Sequence, residues 1–292
     1  MSLAVAEVIA RVANGVAELP QDQWDACAGA DNPFVSWHFL SALERSGSVG
    51  GASGWQPLPL VIDDADGQMA AAAPLYAKSH SQGEYVFDQG WADAWERAGG
   101  RYYPKIQLAA PFSPVPGPRL LLRDGAMAPG LIAGIETLVE RNGLSSAHAT
   151  FVAPDQVPLF EANGWLIRED SQFHWTNRGY GDFDDFLAEL SSEKRKNIRK
   201  ERRRAVEGLD IIHLTGGDLT EAHWDIFWEF YQDTGARKWG RPYLTRDFFS
   251  ILGETMADRL LLMLALRNGA PIAGALNLIG GNTLYGRYWG CT

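Results

Sequence analysis

Apolar and polar residues recur with helical or strand periods along most of the chain, and clusters of Gly, Pro, Asn and Asp separate these segments. Before residue 178 the pattern predicts helices at 21–28, 36–45, 91–98, 126–142 and 154–163. It predicts strands from the N-terminus to about residue 17 and at 58–62, 69–77, 83–88, 105–110, 147–152 and 166–177. This alternation of helices and strands indicates an α/β protein with a mixed sheet (α+β).

The pattern restarts after residue 178, with strands at 209–214, 260–266, 272–279 and 284–289 and helices at 220–234 and 245–257. DGQMAAAAPLY followed by GEYVFDQGW parallels NGAPIAGALNL followed by GNTLYGRYWG, because in each pair an x-Gly turn and a small-residue strand precede an aromatic strand. We therefore expect one fold used twice, with domains at 1–178 and 179–292. The alternative is that any two β-hairpins share these features.

A strongly basic segment, FDDFLAELSSEKRKNIRKERRRAV (183–206), opens the second predicted domain. Phe183, Phe186, Leu187 and Leu190 repeat with helical spacing, and Asp182 is a suitable N-cap. The segment is therefore predicted to be one long helix. Eight Lys or Arg residues lie between positions 194 and 204, although the whole chain has a net charge of −10.

Two interpretations of this basic helix remain open. A run of like charges is often a solvated face. Alternatively, the helix binds a phosphate-bearing ligand, because few acids offset its charges and arginine suits bidentate contacts to phosphate. The residues assigned to that role are Arg195, Lys196, Arg199 and Lys200.

Composition limits the classes of protein that the chain can represent. Membrane insertion is not expected, because Glu7 and Arg11 interrupt the N-terminal apolar stretch and the uncharged run at 268–286 is rich in Gly and Asn. Cys27 and Cys291 lack the spacing of a disulfide framework and fit a reducing cytoplasm. The acidic net charge restricts any tRNA contact to a local one.

Three segments, GEYVFDQGWADAWERAGGRYYPKIQLAAPFSPVPGPR (83–119), SQFHWTN (171–177) and TLYGRYWGC (283–291), resemble the bacterial FemAB-like predicted N-acyltransferases. The basic helix and the order strand, two helices, three antiparallel strands are similar to the tandem acetyltransferase-like (GNAT) units of FemABX-like peptidoglycan acyltransferases. The resemblance implies an acyl-CoA or aminoacyl-tRNA donor and an amine acceptor on a peptidoglycan precursor or small molecule. It also implies that the second unit is truncated after its fourth strand.

Amide-forming acyl transfer needs an amine held close to the donor carbonyl, a route for its proton and hydrogen-bond donors for the oxyanion. The catalytic candidates are Tyr85, Asp88 and Tyr288, with Asp88 as the preferred base. Tyr285 and Arg287 are candidates for substrate binding, and strict strand alternation puts both on the face opposite Tyr288. Each tyrosine could instead be a packed core residue with a satisfied hydroxyl. No metal site is expected, because the histidines lack ligand spacing.

The segment ARKWGRPYLT (236–245) interleaves basic and aromatic residues, which suits a nucleotide or a sugar phosphate. Arg237, Lys238, Trp239 and Tyr243 are therefore further candidates for binding. An ordinary connection between helices is the alternative.

Two functions follow from these patterns. The first is N-acyl transfer, and the alternative is a non-catalytic module that binds an anionic, phosphate-bearing ligand at the basic helix. In both cases the apolar strand at 284–289 is expected to lie uncovered and to permit self-association with another chain.

Overall fold

The computed structural model describes residues 9–238 and 242–292. The strands are β1 (Ala10–Val12), β2 (Trp55–Pro57), β3 (Leu60–Asp63), β4 (Met69–Ala73), β5 (Leu75–Lys78), β6 (Lys105–Leu108), β7 (Leu121–Leu122), β8 (Ala147–Ala149), β9 (Asp210–Leu214), β10 (Leu260–Arg267), β11 (Ala270–Gly280) and β12 (Thr283–Cys291). The helices are α1 (Gln21–Ala28), α2 (Trp37–Arg45), α3 (Gln89–Arg97), α4 (Ala128–Arg141), α5 (Val157–Ala162), α6 (Phe183–Ala188), α7 (Ser192–Ala205), α8 (Glu221–Lys238) and α9 (Arg246–Met256). The predicted mixed α/β class is confirmed. Within the described ranges, no helix combines the length and apolar character needed to cross a bilayer.

One long hairpin, formed by residues 55–63 and 69–78, organises the first half of the chain. Its tip belongs to a sheet with the strand order β1-β3-β4-β7, and its base belongs to a second sheet with the order β2-β5-β6-β8. Proline cannot donate to a strand ladder, and Pro59 and Pro74 lie where each hairpin arm passes from one sheet to the other. The Pro-rich loop 109–120 connects β6 in one sheet to β7 in the other.

The second half has the element order that its sequence predicts. Strand β9 is followed by α8 and α9, and then by β10, β11 and β12 in an antiparallel sheet of order β12-β11-β10-β9. Strand β12 is an edge strand, and α8 packs against it. The strand is thus partly covered, although Leu284 and Trp289 are each 55% exposed. Self-association through this edge stays a prediction.

One of two apolar core clusters in the described chain joins the two halves. Its buried members include Trp24 and Phe39 from the first half and Phe248 and Leu262 from the second. Phe39 on α2 and Phe248 on α9 meet edge to face, with ring centroids 5.7 Å apart. Buried contacts thus connect residues before and after position 178. The division into two domains at that position stays a prediction.

The basic segment forms two helices rather than the predicted single one. Asp182 caps α6 as expected, because its carboxylate accepts from the backbone N–H of Asp185. Ser191 then caps α7 by accepting from the N–H of Lys194. Serine side chains compete in this way for backbone groups, which makes Ser191 a start signal inside a continuous helical pattern. Helix α7 contacts α6 through Arg199 and Asp184, whose side chains are 2.8 Å apart.

Two segments predicted as strands are irregular. Residues 83–88 form a loop in which Tyr85 has a φ of 58°. Residues 166–177 are also without regular pairing, and the side chains of Leu166 and Phe173 are fully exposed. Aromatic and β-branched residues favour strands only where a pleated, half-buried surface receives them, so the pattern alone was misleading here.

Candidate active site

A β-bulge in β12 sets the direction of Arg287. Tyr288 pairs with Leu276 and Gly286 pairs with Asn277, so Arg287 is the extra residue between them. Bulges re-aim side chains and are common beside active sites. The guanidinium carbon of Arg287 lies 4.9 Å from the centre of the Tyr288 ring. The prediction that these two side chains occupy opposite faces is therefore wrong, because the bulge breaks the alternation.

The first half of the chain holds Arg287 in place. Its Nη2 donates a 2.6 Å hydrogen bond to the carbonyl oxygen of Phe112, which lies in the Pro-rich loop. Its guanidinium carbon is 5.6 Å from the centre of the Tyr85 ring. The Phe112 ring in turn stacks on Tyr243 with centroids 5.1 Å apart. Residues from both halves thus converge on one arginine.

We call this group the seam site, and its members are Tyr85, Phe112, Tyr231, Tyr243, Arg287 and Tyr288. Phe112 and Tyr85 both have positive φ angles, 57° and 58°. Such angles are uncommon for large residues and cluster at binding and catalytic sites. Gly83, with a φ of 80°, permits the close approach of the two loops, since a Cβ there would lie 2.6 Å from the Phe112 ring.

Two buried polar atoms of the seam site have no hydrogen-bond partner within the described residues. They are Nε of Arg287 and the hydroxyl oxygen of Tyr288. A buried donor without a partner costs about 1–3 kcal/mol, and most such groups in proteins are paired. The arrangement therefore offers a charged and a neutral donor side by side, which suits a carboxylate, a phosphate or a carbonyl oxygen that is gaining negative charge.

Burial keeps the hydroxyls of Tyr288 and Tyr231 protonated. It raises the pKa of Tyr288 to about 12, although Arg287 opposes the shift through its positive charge and through a polar contact with the hydroxyl that lacks hydrogen-bond geometry. It also raises the pKa of Tyr231, whose hydroxyl accepts a hydrogen bond from the backbone N–H of Leu244. At neutral pH Tyr288 can donate a hydrogen bond but cannot act as a base.

Asp88, the preferred base in the sequence interpretation, lies in a buried ion-pair network. One carboxylate oxygen accepts from Lys105 at 2.8 Å and from Ser81 and Tyr102 at 2.9 Å. Burial alone would raise the pKa of Asp88, but the bonds from these three side chains outweigh it and hold the pKa below its usual value. A carboxylate that is 2% exposed and stabilised in its charged form is poorly suited to accept a proton from substrate.

The other candidates for substrate binding have different surroundings. Tyr285 packs against Phe34 with ring centroids 5.4 Å apart. Arg237 donates to the carbonyl oxygen of Cys291 at 2.8 Å and pairs with Asp233, so it fixes the end of β12 against α8. Of Lys238 only the backbone is described, as the last residue of α8, and Trp239 lies outside the described residues.

The basic candidates on α7 lie on a largely exposed helix. Arg195 is half-buried, whereas Lys196, Arg199 and Lys200 are exposed. Their hydrogen bonds and ion pairs in the described chain do not involve the seam site, and Arg199 pairs with Asp184 on α6. The role of α7 in binding stays a prediction.

The sequence did not single out Phe112, Tyr231 or the buried lysines Lys78 and Lys105. Phe112 acts through its backbone carbonyl, which no side-chain pattern reports. The lysines did leave a signal, because each is the one charged residue of an otherwise uncharged strand, LYAK or KIQL. Across the part of the chain that is described, three or more His, Cys, Asp or Glu side chains are nowhere grouped to hold a metal ion.

A separate cleft of about 490 Å³ lies where α1 and α2 meet the C-terminal end of α9. Asp25, His38, Glu254 and Arg259 are among its lining residues. It contains no residue of the seam site. The two unpartnered buried donors thus lie at the seam site, and this cleft is a different feature of the surface.

The model of a family described as peptidoglycan biosynthesis/recognition, FemAB-like, matches residues 15–292. The chain belongs to the FemAB-like family. The suspected family is therefore confirmed, and the match includes every residue of the seam site. No protein of curated function matches the sequence.

Solved structures similar to this FemAB-like chain include L-PGS from Bacillus licheniformis, with 10% identity and a TM-score of 0.50. The match covers 94% of this chain and 66% of that one, so the chain spans just under two thirds of its length. At this identity the similarity concerns the fold.

Two further matches are acetyltransferase-like proteins. A tandem GNAT protein from the clavulanic acid biosynthesis pathway has 13% identity and a TM-score of 0.42, with 95% of this chain and 76% of that chain covered. The aminoglycoside antibiotic 6'-N-acetyltransferase AAC(6')-Ih from Acinetobacter baumannii has 13% identity and a TM-score of 0.34, with 59% of this chain and 100% of that chain covered. These lower scores do not by themselves establish a shared fold.

The unpartnered hydroxyl of Tyr288 leads to a stability prediction. Tyr288→Phe should leave the free energy of unfolding unchanged or raise it by up to about 1 kcal/mol, because the buried hydroxyl makes no hydrogen bond in the described chain. Tyr102→Phe is the matched control. It removes a bond to the Asp88 carboxylate and should cost about 1.5–3 kcal/mol. Urea denaturation measures both, and an equal loss in the two variants would show that the Tyr288 hydroxyl is satisfied in the folded protein.

Proposed function

We propose that this FemAB-like protein is an N-acyltransferase and that the seam site is where the acyl group passes to an amine. The observation that carries the proposal is the pair of buried donors, Arg287 Nε and the Tyr288 hydroxyl, without partners in the described chain. An acyl-transfer transition state gains negative charge on the carbonyl oxygen, and donors arranged in advance stabilise that charge most effectively. Family membership supports acyl or aminoacyl transfer in general.

In the proposed reaction the amine nitrogen attacks the carbonyl carbon of a thioester or ester donor. A C–N bond forms, and the carbonyl oxygen becomes an oxyanion that accepts hydrogen bonds from Arg287 and Tyr288. The C–S or C–O bond then breaks, the leaving group takes the bonding electrons, and the ammonium proton passes to the departing thiolate or alkoxide, so that the products are an amide and a thiol or an alcohol. Tyr288 remains protonated throughout at neutral pH, because burial raises its pKa to about 12.

The remaining members of the seam site have supporting roles in this proposal. The carbonyl oxygen of Phe112 accepts a hydrogen bond from Nη2 of Arg287, and the Nε–H group remains available to the substrate. The Tyr85 ring faces the guanidinium and is 43% exposed, so it is placed to contact the acceptor as well. Tyr243 supports the Phe112 ring by stacking.

We further propose that the donor is acyl-CoA or aminoacyl-tRNA and that its phosphates bind α7. Both donors carry phosphates, and α7 offers Arg195, Lys196, Arg199 and Lys200. The proposed acceptor is an amine on a peptidoglycan precursor or a related small molecule, in keeping with the family description. A cytoplasmic location stays a prediction and rests on Cys27 and Cys291, which are both free thiols.

The alternative function is a non-catalytic module that binds a phosphate-bearing ligand at α7. The observation in its favour is that α7 buries none of its residues, so its side chains are accessible to a ligand, although Arg199 is also paired with Asp184. In that case the seam site would bind an anion without turnover. The two functions differ in whether Arg287 affects a rate or only an affinity.

A kinetic measurement tests the acyltransferase proposal. Arg287→Gln should lower kcat/KM about 100- to 1,000-fold, which is the usual effect of removing one oxyanion donor. Arg123→Gln is the control, because Arg123 forms a surface ion pair with Asp64 and should leave the rate near that of the unmodified protein. The assay follows amide formation from acetyl-CoA, longer acyl-CoAs and aminoacyl-tRNA with amine acceptors. Absence of turnover by the unmodified protein with every donor, together with donor binding, would favour the binding module.

A binding measurement tests the role of α7. Changing Arg195, Lys196, Arg199 and Lys200 together to Gln should weaken donor binding by several kcal/mol, at about 1.5–3 kcal/mol for each charge-assisted bond. The fold should persist, because these side chains lie outside the core. The control removes the same charge from exposed arginines elsewhere, Arg45, Arg97, Arg141 and Arg267. Equal affinities of the two variants in titration calorimetry would identify α7 as a solvated face.

A further inference from the structure

A buried network of four ionisable side chains, two of them in the loop that carries Tyr85, joins that loop to β5 and β6. Lys78 ends β5, Lys105 begins β6, and Glu84 and Asp88 lie in the loop that follows β5. The two lysines are 0% exposed, Glu84 is 3% exposed and Asp88 is 2% exposed. Two lysines thus face two carboxylates, and buried charges are tolerated when they are paired. Burial lowers the pKa of Lys78 to about 7, so this lysine is only partly protonated at neutral pH.

Lys105 is the centre of this network. Its Nζ donates to Glu84 and Asp88 at 2.8 Å and to the Ser81 hydroxyl at 3.0 Å. These three bonds use all three protons of the ammonium group. Their partners are spread over eight residues of the loop, so one side chain fixes its conformation at three points.

Other hydrogen bonds hold the remaining parts of the loop in place. Lys78 donates to the carbonyl oxygen of Gln82 at 3.2 Å and lies over the Trp55 ring at 3.7 Å. Trp55 donates to the same carbonyl at 3.1 Å. The Ser81 hydroxyl also contacts the Asp88 carboxylate at 2.9 Å and the Tyr103 hydroxyl at 2.7 Å. The loop is therefore anchored on both sides of Tyr85.

The anchored conformation is one that Tyr85 would not adopt freely. Its φ of 58° lies in the left-handed region, which is unfavourable for a residue with a large side chain. The network supplies the bonds that hold this backbone, and the result is a Tyr85 ring that faces Arg287 at 5.6 Å. Gly83 in the same loop abuts Phe112, the residue whose carbonyl binds Arg287.

We propose that Lys105 and Ser81 are positioning residues that act on the seam site through the loop of residues 79–88. Neither touches substrate in this proposal. They hold Tyr85 and the Gly83–Phe112 contact so that the guanidinium of Arg287 keeps Nε directed at the reacting carbonyl. The inference rests on the proposed acyltransferase function for its kinetic consequence, but its structural consequence for Arg287 does not depend on turnover.

The obvious variant, Lys105→Met, leaves Glu84 and Asp88 without their closest cation and risks unfolding the protein. Ser81→Ala is the milder test, because it removes a neutral hydroxyl that links Lys105, Asp88 and Tyr103. Tyr103→Phe, which removes one contact to Ser81, is the second variant. Ser41→Ala is the matched control, since Ser41 is also a buried, hydrogen-bonded serine but lies in α2.

Ser81→Ala should lower kcat about tenfold and change KM less than twofold, because a misplaced donor weakens transition-state binding more than ground-state binding. The deciding measurement is a double-mutant cycle with Arg287→Lys. If Ser81 acts through Arg287, its loss should have little further effect once Arg287 is changed. Additive effects, or an equal loss of kcat in Ser41→Ala, would overturn the proposal.

A second readout separates this inference from the proposed function. In the ligand-free protein, Ser81→Ala and Tyr103→Phe should shift the Nε–H resonance of Arg287 and speed its exchange with solvent, whereas Ser41→Ala should not. If the unmodified protein shows no acyl transfer, the function fails and this measurement alone decides the positioning role. An unchanged Arg287 resonance in both network variants would contradict it.

Discussion

The hydrogen bond from Arg287 to the carbonyl oxygen of Phe112 joins the last strand of the chain to a loop of the first half. The seam site depends on this contact, because Tyr288 and Arg287 come from one half while Tyr85 and Phe112 come from the other. The shared apolar core makes the contact possible by fixing α2 against α9. Phe112 and Tyr288 both belong to that core, so the same packing holds the two sides of the site together.

The seam site combines features that reduce stability. Arg287 Nε and the Tyr288 hydroxyl are buried without partners among the described residues, and two aromatic residues have positive φ angles. Each such feature costs on the order of 1–3 kcal/mol. These features meet at one place, although six further buried polar atoms, among them Oε1 of Glu84 and Oδ1 of Asp88, also lack hydrogen-bond partners in the described chain. Such local strain, supported by its surroundings, is typical of a binding or catalytic site rather than of an ordinary domain contact.

The sequence indicated the fold class, the element order of the second half and several members of the site, because these depend on periodicity and residue type. Tyr85, Tyr243, Arg287 and Tyr288 were singled out as aromatic and basic positions, and the structure brings them together. The direction of Arg287 could not be predicted, since it depends on a bulge set by pairing with β11. The burial of Lys78 and Lys105 likewise depends on carboxylates that a loop places beside them. The break between α6 and α7 could have been recognised from Ser191, which is a common N-cap residue. The helical pattern continues on both sides of Ser191, however, and hid that signal.

The most direct test of the account is an NMR titration of the Arg287 Nε–H group with acetyl-CoA and with aminoacyl-tRNA. Arg287→Lys assigns the resonance, and the Arg123→Gln protein serves as a control for general effects. The account predicts that the true donor shifts the Arg287 Nε–H resonance and slows its exchange with solvent, because the group gains a hydrogen-bond acceptor. Donor binding that changes the amide resonances of α7 and leaves Arg287 unaffected would contradict the assignment of the seam as the site of acyl transfer.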